Sequence, residues 1–203
     1  MTEAVPFTQD QSINVGAHVC AMHESPDAVL AVLAHTFAAG LQRGERCALV
    51  APESSAAEVR RRLGEEGVDV GSIEGSDLLF LTDRDPLLAN GGTEFDPDHL
   101  LDAIKGLFGA TVEAGYKGLR LSADVPWLTR NVPGGERAME FESKADDIVN
   151  VPGIPLLAIC QYRLADLDPE DSLAILERHP LTLVGGRIHE NKDYGRPGNR
   201  TSE

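Results

Sequence analysis

At Ser25-Pro26, Asp96-Pro97 and Asp168-Pro169 a residue with a capping side chain stands directly before a proline at the head of a helix-like segment. Such a pair starts a helix. The side-chain oxygen accepts from an orphan backbone N–H, and proline fills the first helical position, where an N–H has no partner to lose. Ser55-Ala56-Ala57-Glu58 spells a capping box and predicts a fourth helix running to about Gly67, and a fifth is expected from Gly134 to Asn150. Between these helices lie short, nearly all-apolar runs at 17–22, 46–51, 78–82, 118–123, 155–161 and 181–184, which read as strands covered on both faces. Parallel neighbours need long crossovers, so the alternation predicts an α/β fold: a doubly wound, mostly parallel sheet with helices on both faces.

With 203 residues, the chain is expected to form a single domain over residues 14–190, with flexible tails at 1–13 and 191–203. Against 18 basic residues stand 33 acidic ones, a formal net charge of −15 that repels nucleic-acid phosphates and anionic lipid. Solubility accounts for that charge, as does a basic protein partner. Cys20, Cys47 and Cys160 are far apart and form no C-x-x-C pair. Together with the absence of a secretory pattern and of an apolar run near ~20 residues, this predicts a cytoplasmic protein without a membrane span.

In a nucleotide-binding α/β protein, the segment after the first strand is a glycine-rich phosphate loop. Here it reads Ala17-His18-Val19-Cys20-Ala21-Met22-His23-Glu24-Ser25. A phosphate loop also needs a lysine followed by Ser or Thr, whereas Lys105, Lys117, Lys144 and Lys192 precede Gly106, Gly118, Ala145 and Asp193. ATP hydrolysis through a phosphate loop is therefore not expected, and imidazole, thiol and carboxylate groups stand where the glycines would be.

Ligands of such sheets bind beyond the carboxyl ends of the strands. The predicted crevice there gathers His18, Cys20, His23, Glu24, Glu53, Asp124, Trp127, Glu142, Cys160, Gln161 and Tyr162 as ligand-binding candidates, with Asp83 nearby. Alternation along the first strand places His18, Cys20 and Met22 on one face. The thiol, amide and phenol of Cys160-Gln161-Tyr162 suit a small polar ligand, and Trp127, the single tryptophan, suits a pocket wall. Each has a plainer reading as core packing, and Asp83 and Glu142 have one as solvated surface. His18, Cys20 and Cys160 are also weak metal candidates, to be joined by His23 or Glu24, and Cys160 is a candidate nucleophile with His18 or His179. No cofactor is expected. His179-Pro180 and Gly185-Gly186-Arg187 frame the last strand as turn architecture.

Taken together, several segments resemble the MEDS family, the sensory domain named for methanogens, methylotrophs and the dichloromethane-dehalogenase regulator. They are Gly16-Ala17-His18-Val19-Cys20 with Glu24-Ser25-Pro26, residues 40–47 into Val50-Ala51-Pro52-Glu53, and Gly115-Tyr116-Lys117-Gly118-Leu119-Arg120. Trp127, Phe141-Glu142, Cys160-Gln161-Tyr162 and His179-Pro180-Leu181 through Arg187 complete the likeness, which covers about residues 16–191. Residues 40–83 also resemble KaiC-type members of the RecA-like ATPases, which implies a RecA/KaiC-like three-layer sandwich without the phosphate loop.

The resemblance implies a ligand-sensing domain of bacterial signal transduction or transcription control that binds small organic molecules such as hydrocarbon derivatives. Output is expected through a separate protein: a kinase, an anti-sigma or anti-anti-sigma factor, or a transcription regulator. The chain itself is expected to be a monomer or homodimer that contacts neither nucleic acid nor membrane. Two other readings remain: a metal- or thiol-dependent enzyme using His18, Cys20 and Cys160, and an interaction scaffold without a ligand.

Overall fold

The structure, a computed structural model, describes residues 16–82, 94–124, 133–149, 154–185 and 187–195. Its strands are β1 (Ala17–His23), β2 (Arg46–Val50), β3 (Leu78–Leu81), β4 (Leu119–Asp124), β5 (Leu156–Arg163), β6 (Leu181–Val184) and β7 (Arg187–Glu190). The helices are α1 (Pro26–Gln42), α2 (Glu53–Glu65), the single turn α3 (Val70–Ile73), α4 (Pro97–Glu113), α5 (Ala138–Val149) and α6 (Pro169–Leu176). The strands form one sheet in the order β3-β2-β4-β5-β1-β6-β7, parallel except for the last pair. The α/β, doubly wound sheet expected from the sequence is thus present.

Two apolar layers hold the helices to the sheet. On one face α1 and α2 pack Leu33, Phe37, Val59 and Leu63 against Val19, Leu49, Leu157 and Ile159. On the other, Leu107 of α4 and Val149 of α5 meet Ala48, Val50, Leu121 and Ala158. Each residue of a strand thus chooses its helix partner by parity alone.

All three proline-marked starts occur where expected. Asp96 accepts from the N–H groups of Asp98 and His99, and Asp168 accepts from that of Asp171. Ser25 caps α1 by position, without a side-chain bond. The capping-box start is corrected: α2 begins at Glu53 with Pro52 at the cap, and the N–H groups of Ser55 and Ala56 donate to the Pro52 carbonyl. The helix expected from Gly134 opens with one 3-10 turn, Gly135–Arg137, before α5. Gly134 has φ +82, and a Cβ there would fall 2.2 Å from the Phe95 carbonyl oxygen, so only glycine fits.

β7 was not anticipated. It turns back antiparallel to β6 with Arg187 opposite Val184, and residues 191–195, assigned by sequence to a tail, bond back to the body. The Asn191 amide donates to the carbonyls of Leu176 and His179, and the Tyr194 hydroxyl donates to Asp146. No helix among the described residues is long and apolar enough to cross a membrane.

Candidate functional site

β1 and β5 lie side by side in register, with Cys20 opposite Cys160 and Met22 opposite Tyr162. The expected alternation therefore puts His18, Cys20, Met22, Cys160 and Tyr162 on one face, the one α5 covers. From α5, Glu142 and Asp146 point down one turn apart, and the chain entering β6 adds His179. His18, Glu142, Asp146 and His179 have no solvent exposure.

Around His18 the geometry is close. Its Nδ1 lies 3.1 Å from Asp146 Oδ1, and its Nε2 lies 3.5 Å from Cys160 Sγ and 3.7 Å from Glu142 Oε2. His179 Nε2 stands 3.5 Å from the same Glu142 oxygen, and the two imidazole rings are 4.0 Å apart. Tyr162 donates to Glu142 Oε1 at 2.5 Å, and Tyr194 donates to Asp146 Oδ2 at 2.7 Å. His179 Nδ1 donates to the Ile175 carbonyl at 2.8 Å.

Burial dominates the proton affinities. It raises the Glu142 carboxyl, against the opposing pull of His18 and the Tyr162 hydrogen bond, and it pushes the thiols of Cys20 and Cys160 upward, with the Glu142 charge adding to both. Burial likewise raises the Tyr162 phenol and lowers His179 well below the ordinary imidazole range. A thiol held neutral in this way is a poor nucleophile, which weighs against Cys160 attacking by itself.

Next to this cluster, between the β2-β4-β5 face and helices α4 and α5, is a cavity of about 50 Å³. Its wall includes Leu100, Leu121, Phe141, Ala145 and Ala158, and among the described residues only His18 and Cys160 bring polar atoms to it. Roughly 10–15 Å³ of such space is enough for one water, so a small organic molecule fits.

The candidates from the sequence separate into groups. His18, Glu142, Cys160 and Tyr162 come together, with Cys20 packed beside them. Glu142 lies in full burial, correcting its reading as solvated surface, because it faces the sheet from the inner side of α5. The cluster sits on the sheet face rather than beyond the strand ends. His23 and Glu24 do occupy the carboxyl end of β1, where they line a separate cleft with Ser25 and Leu164. Burial is the main influence on His23 and lowers its affinity for protons, with Asp124 opposing.

Gln161, next to Cys160, points to the opposite face and donates to Ser122. Asp124 ends β4 opposite Gln161. Glu53, exposed at the start of α2, pairs with Arg60 at 2.7 Å. Trp127 and Asp83 lie outside the described residues. Sequence reasoning does not reach Asp146 or Tyr194, and it places His179 in the turn before the last strand and as an alternative partner for Cys160, not in this cluster. The signal available for Asp146 was its four-residue spacing from Glu142, one helical turn.

The fold defines a class first. Over 89% of this chain and 82% of the other, it is similar to the crystal structure of a KaiC-like protein from the hyperthermophilic archaeon Pyrococcus horikoshii, with a TM-score of 0.59 at 17% identity. It also matches the flagellar accessory protein FlaH from Methanocaldococcus jannaschii at 13% identity and a TM-score of 0.46, over 87% of this chain and 76% of that one. The first of these likenesses makes the fold KaiC/RecA-like. Residues 17–180 match the MEDS family, the methanogen/methylotroph, DcmR sensory domain, and the chain belongs to that family. No curated protein matches the chain in sequence.

Proposed function

We propose that this sensory domain binds a small, largely apolar organic molecule in the cavity beneath α4 and α5 and reports its occupancy to a protein partner. The observation that carries this reading is the cavity itself: an apolar wall with polar atoms at one end only, from His18 and Cys160. Such a site orients a small hydrocarbon derivative with one polar or polarisable group toward the imidazole and thiol. Sensing requires that the ligand favour one of two arrangements. α5 is the natural moving part, since Phe141 and Ala145 line the cavity while Arg137, Glu140 and Lys144 face outward, where a partner can read them.

The strongly acidic chain suits a basic partner surface, of the kinase, anti-sigma, anti-anti-sigma or transcription-regulator kind, in the cytoplasm. A catalytic role is not part of this reading. Only Glu24-Ser25 separates β1 from α1, which leaves no room for a phosphate loop and supports regarding this one as degenerate.

The test is NMR titration with dichloromethane and, as a larger probe, benzene. Saturable shifts centred on Leu100, Leu121 and Ala158, lost in an Ala158→Leu variant that remains folded, are expected. Shifts that never saturate, or that survive Ala158→Leu unchanged, would overturn the reading.

A further inference from the structure

We propose that His18, Glu142, Cys160 and His179 form a binding site for one divalent transition-metal ion of the zinc class. Their four donor atoms lie within 4.8 Å of one another and all four residues are buried. In a tetrahedral zinc site with bonds of roughly 2.0–2.3 Å, neighbouring donor atoms stand about 3.3–3.8 Å apart. Three of the edges here are 3.5, 3.7 and 3.5 Å: His18 Nε2 to Cys160 Sγ, His18 Nε2 to Glu142 Oε2, and His179 Nε2 to Glu142 Oε2.

Hydrogen-bond accounting points to the same ion. A carboxylate and a carbonyl only accept, so His18 Nδ1 must donate to Asp146 and His179 Nδ1 must donate to the Ile175 carbonyl. With both imidazoles neutral and Glu142 ionised, the states in which they ligate a metal, the two Nε2 lone pairs and those of Glu142 Oε2 converge on the centre. Glu142 Oε2 and His179 Nε2 have no hydrogen-bond partner although they are fully buried. An unpartnered buried acceptor is destabilising, and two aimed at one point are relieved by a cation there.

Three of the four ligands also have a second anchor. Asp146 holds His18 and is itself held by Tyr194, the Ile175 carbonyl fixes His179, and Tyr162 occupies the other oxygen of Glu142. Ligating histidines in metal sites are oriented by such partners. Two imidazoles, a carboxylate and a thiolate suit zinc, or cobalt in its place, better than magnesium or calcium, which prefer oxygen alone. Binding expels the Cys160 thiol proton to solvent, and the dication takes up the resulting thiolate charge. The assignment does not depend on the organic ligand.

The experiment loads the full chain with cobalt(II) or zinc(II). One ion per chain is expected, with the visible bands of tetrahedral cobalt and a thiolate-to-cobalt charge-transfer band. That band should disappear in Cys160→Ser and persist in Cys20→Ser and Cys47→Ser. Asp146→Asn, at a residue that is not itself a ligand but holds the His18 ring, should weaken affinity about 10–100-fold. Glu142→Gln preserves shape and should weaken it further, so the test survives if Cys160→Ser fails to fold. Folded protein that takes up no ion at one per chain, or binding that Cys160→Ser and Glu142→Gln leave unchanged, would overturn the proposal.

Discussion

Beneath α1 the sheet buries Arg120 against Glu45, while beneath α5 it buries Glu142 and Asp146 among two histidines, two tyrosine hydroxyls and a thiol. The first group pairs one cation with one anion, and Arg43 adds a further hydrogen bond to Glu45 at 3.2 Å. In the second, acceptors outnumber the protons available to them. Arg178, whose charge acts on Glu142 only from a distance, donates to the carbonyls of Met139 and Ala174 and to the Ser143 hydroxyl. A buried pair that neutralises itself belongs to the architecture, whereas a buried excess of lone pairs calls for something from outside.

The largest effect that bears on this contrast is on the α1 side. Arg120→Met strands Glu45 in the core and should cost about 3 kcal/mol, the lower end of the usual range because Arg43 still reaches Glu45. Denaturant unfolding with and without zinc measures it. Equal losses in both conditions keep the two faces independent, and a loss that changes with metal would break the comparison. Gly40→Ala sharpens it. The added Cβ would lie 2.4 Å from Arg120 Cδ, so the arginine must shift, at a cost of about 1–3 kcal/mol. Because Gly40 is far from α5, metal stoichiometry should not move.

The smallest effect comes from the exposed networks, which serve as a baseline for the buried ones. Hydrogen bonds from Arg137 and Lys144 hold Glu140 down to about 2, and bonds from Arg61 and Arg62 do the same for Glu58. A depressed carboxyl is stabilising above its unfolded value near 4.5, and that contribution is lost as pH falls toward 2. Both groups are at the surface, so an acid titration of Glu140→Gln by circular dichroism should differ only slightly from the parent, and less still in high salt. A large difference would mean that α5 depends on its outer charges as much as on its inner ones.

The fold was legible because its signals are local. Apolar runs gave six strands to within one or two residues at either end, and proline behind a capping residue marked three helix starts. Where two local signals compete, sequence misleads: Ser55 offers a capping box, but Pro52, with φ already suited to an entry, takes the cap three residues earlier. β7 alternates Arg187, Ile188, His189 and Glu190 and gains its order from pairing with β6, which no short window reveals. The site was half legible. His18 stands out because it replaces what a phosphate-binding chain would carry, and Cys160 because it opens a thiol, amide and phenol run at a strand end, but Asp146 looks like any helix carboxylate until the direction of α5 is known. His179 depends on how α6 delivers the chain to β6, a tertiary fact.

The two outermost strands are armed differently against neighbours. β7 is four residues long and carries Arg187, His189 and Glu190, so a foreign strand laid along it would have to bring charge against charge. β3 is equally short but reads Leu-Leu-Phe-Leu, and its protection comes from elsewhere: the Arg60 guanidinium lies 4.1 Å over the Phe80 ring and is held there by Glu53 and Glu74. The same ion-paired arginine that looks like surface decoration on α2 is thus a gatekeeper, and neutralising it would be felt first as aggregation at high protein concentration rather than as a lower melting point.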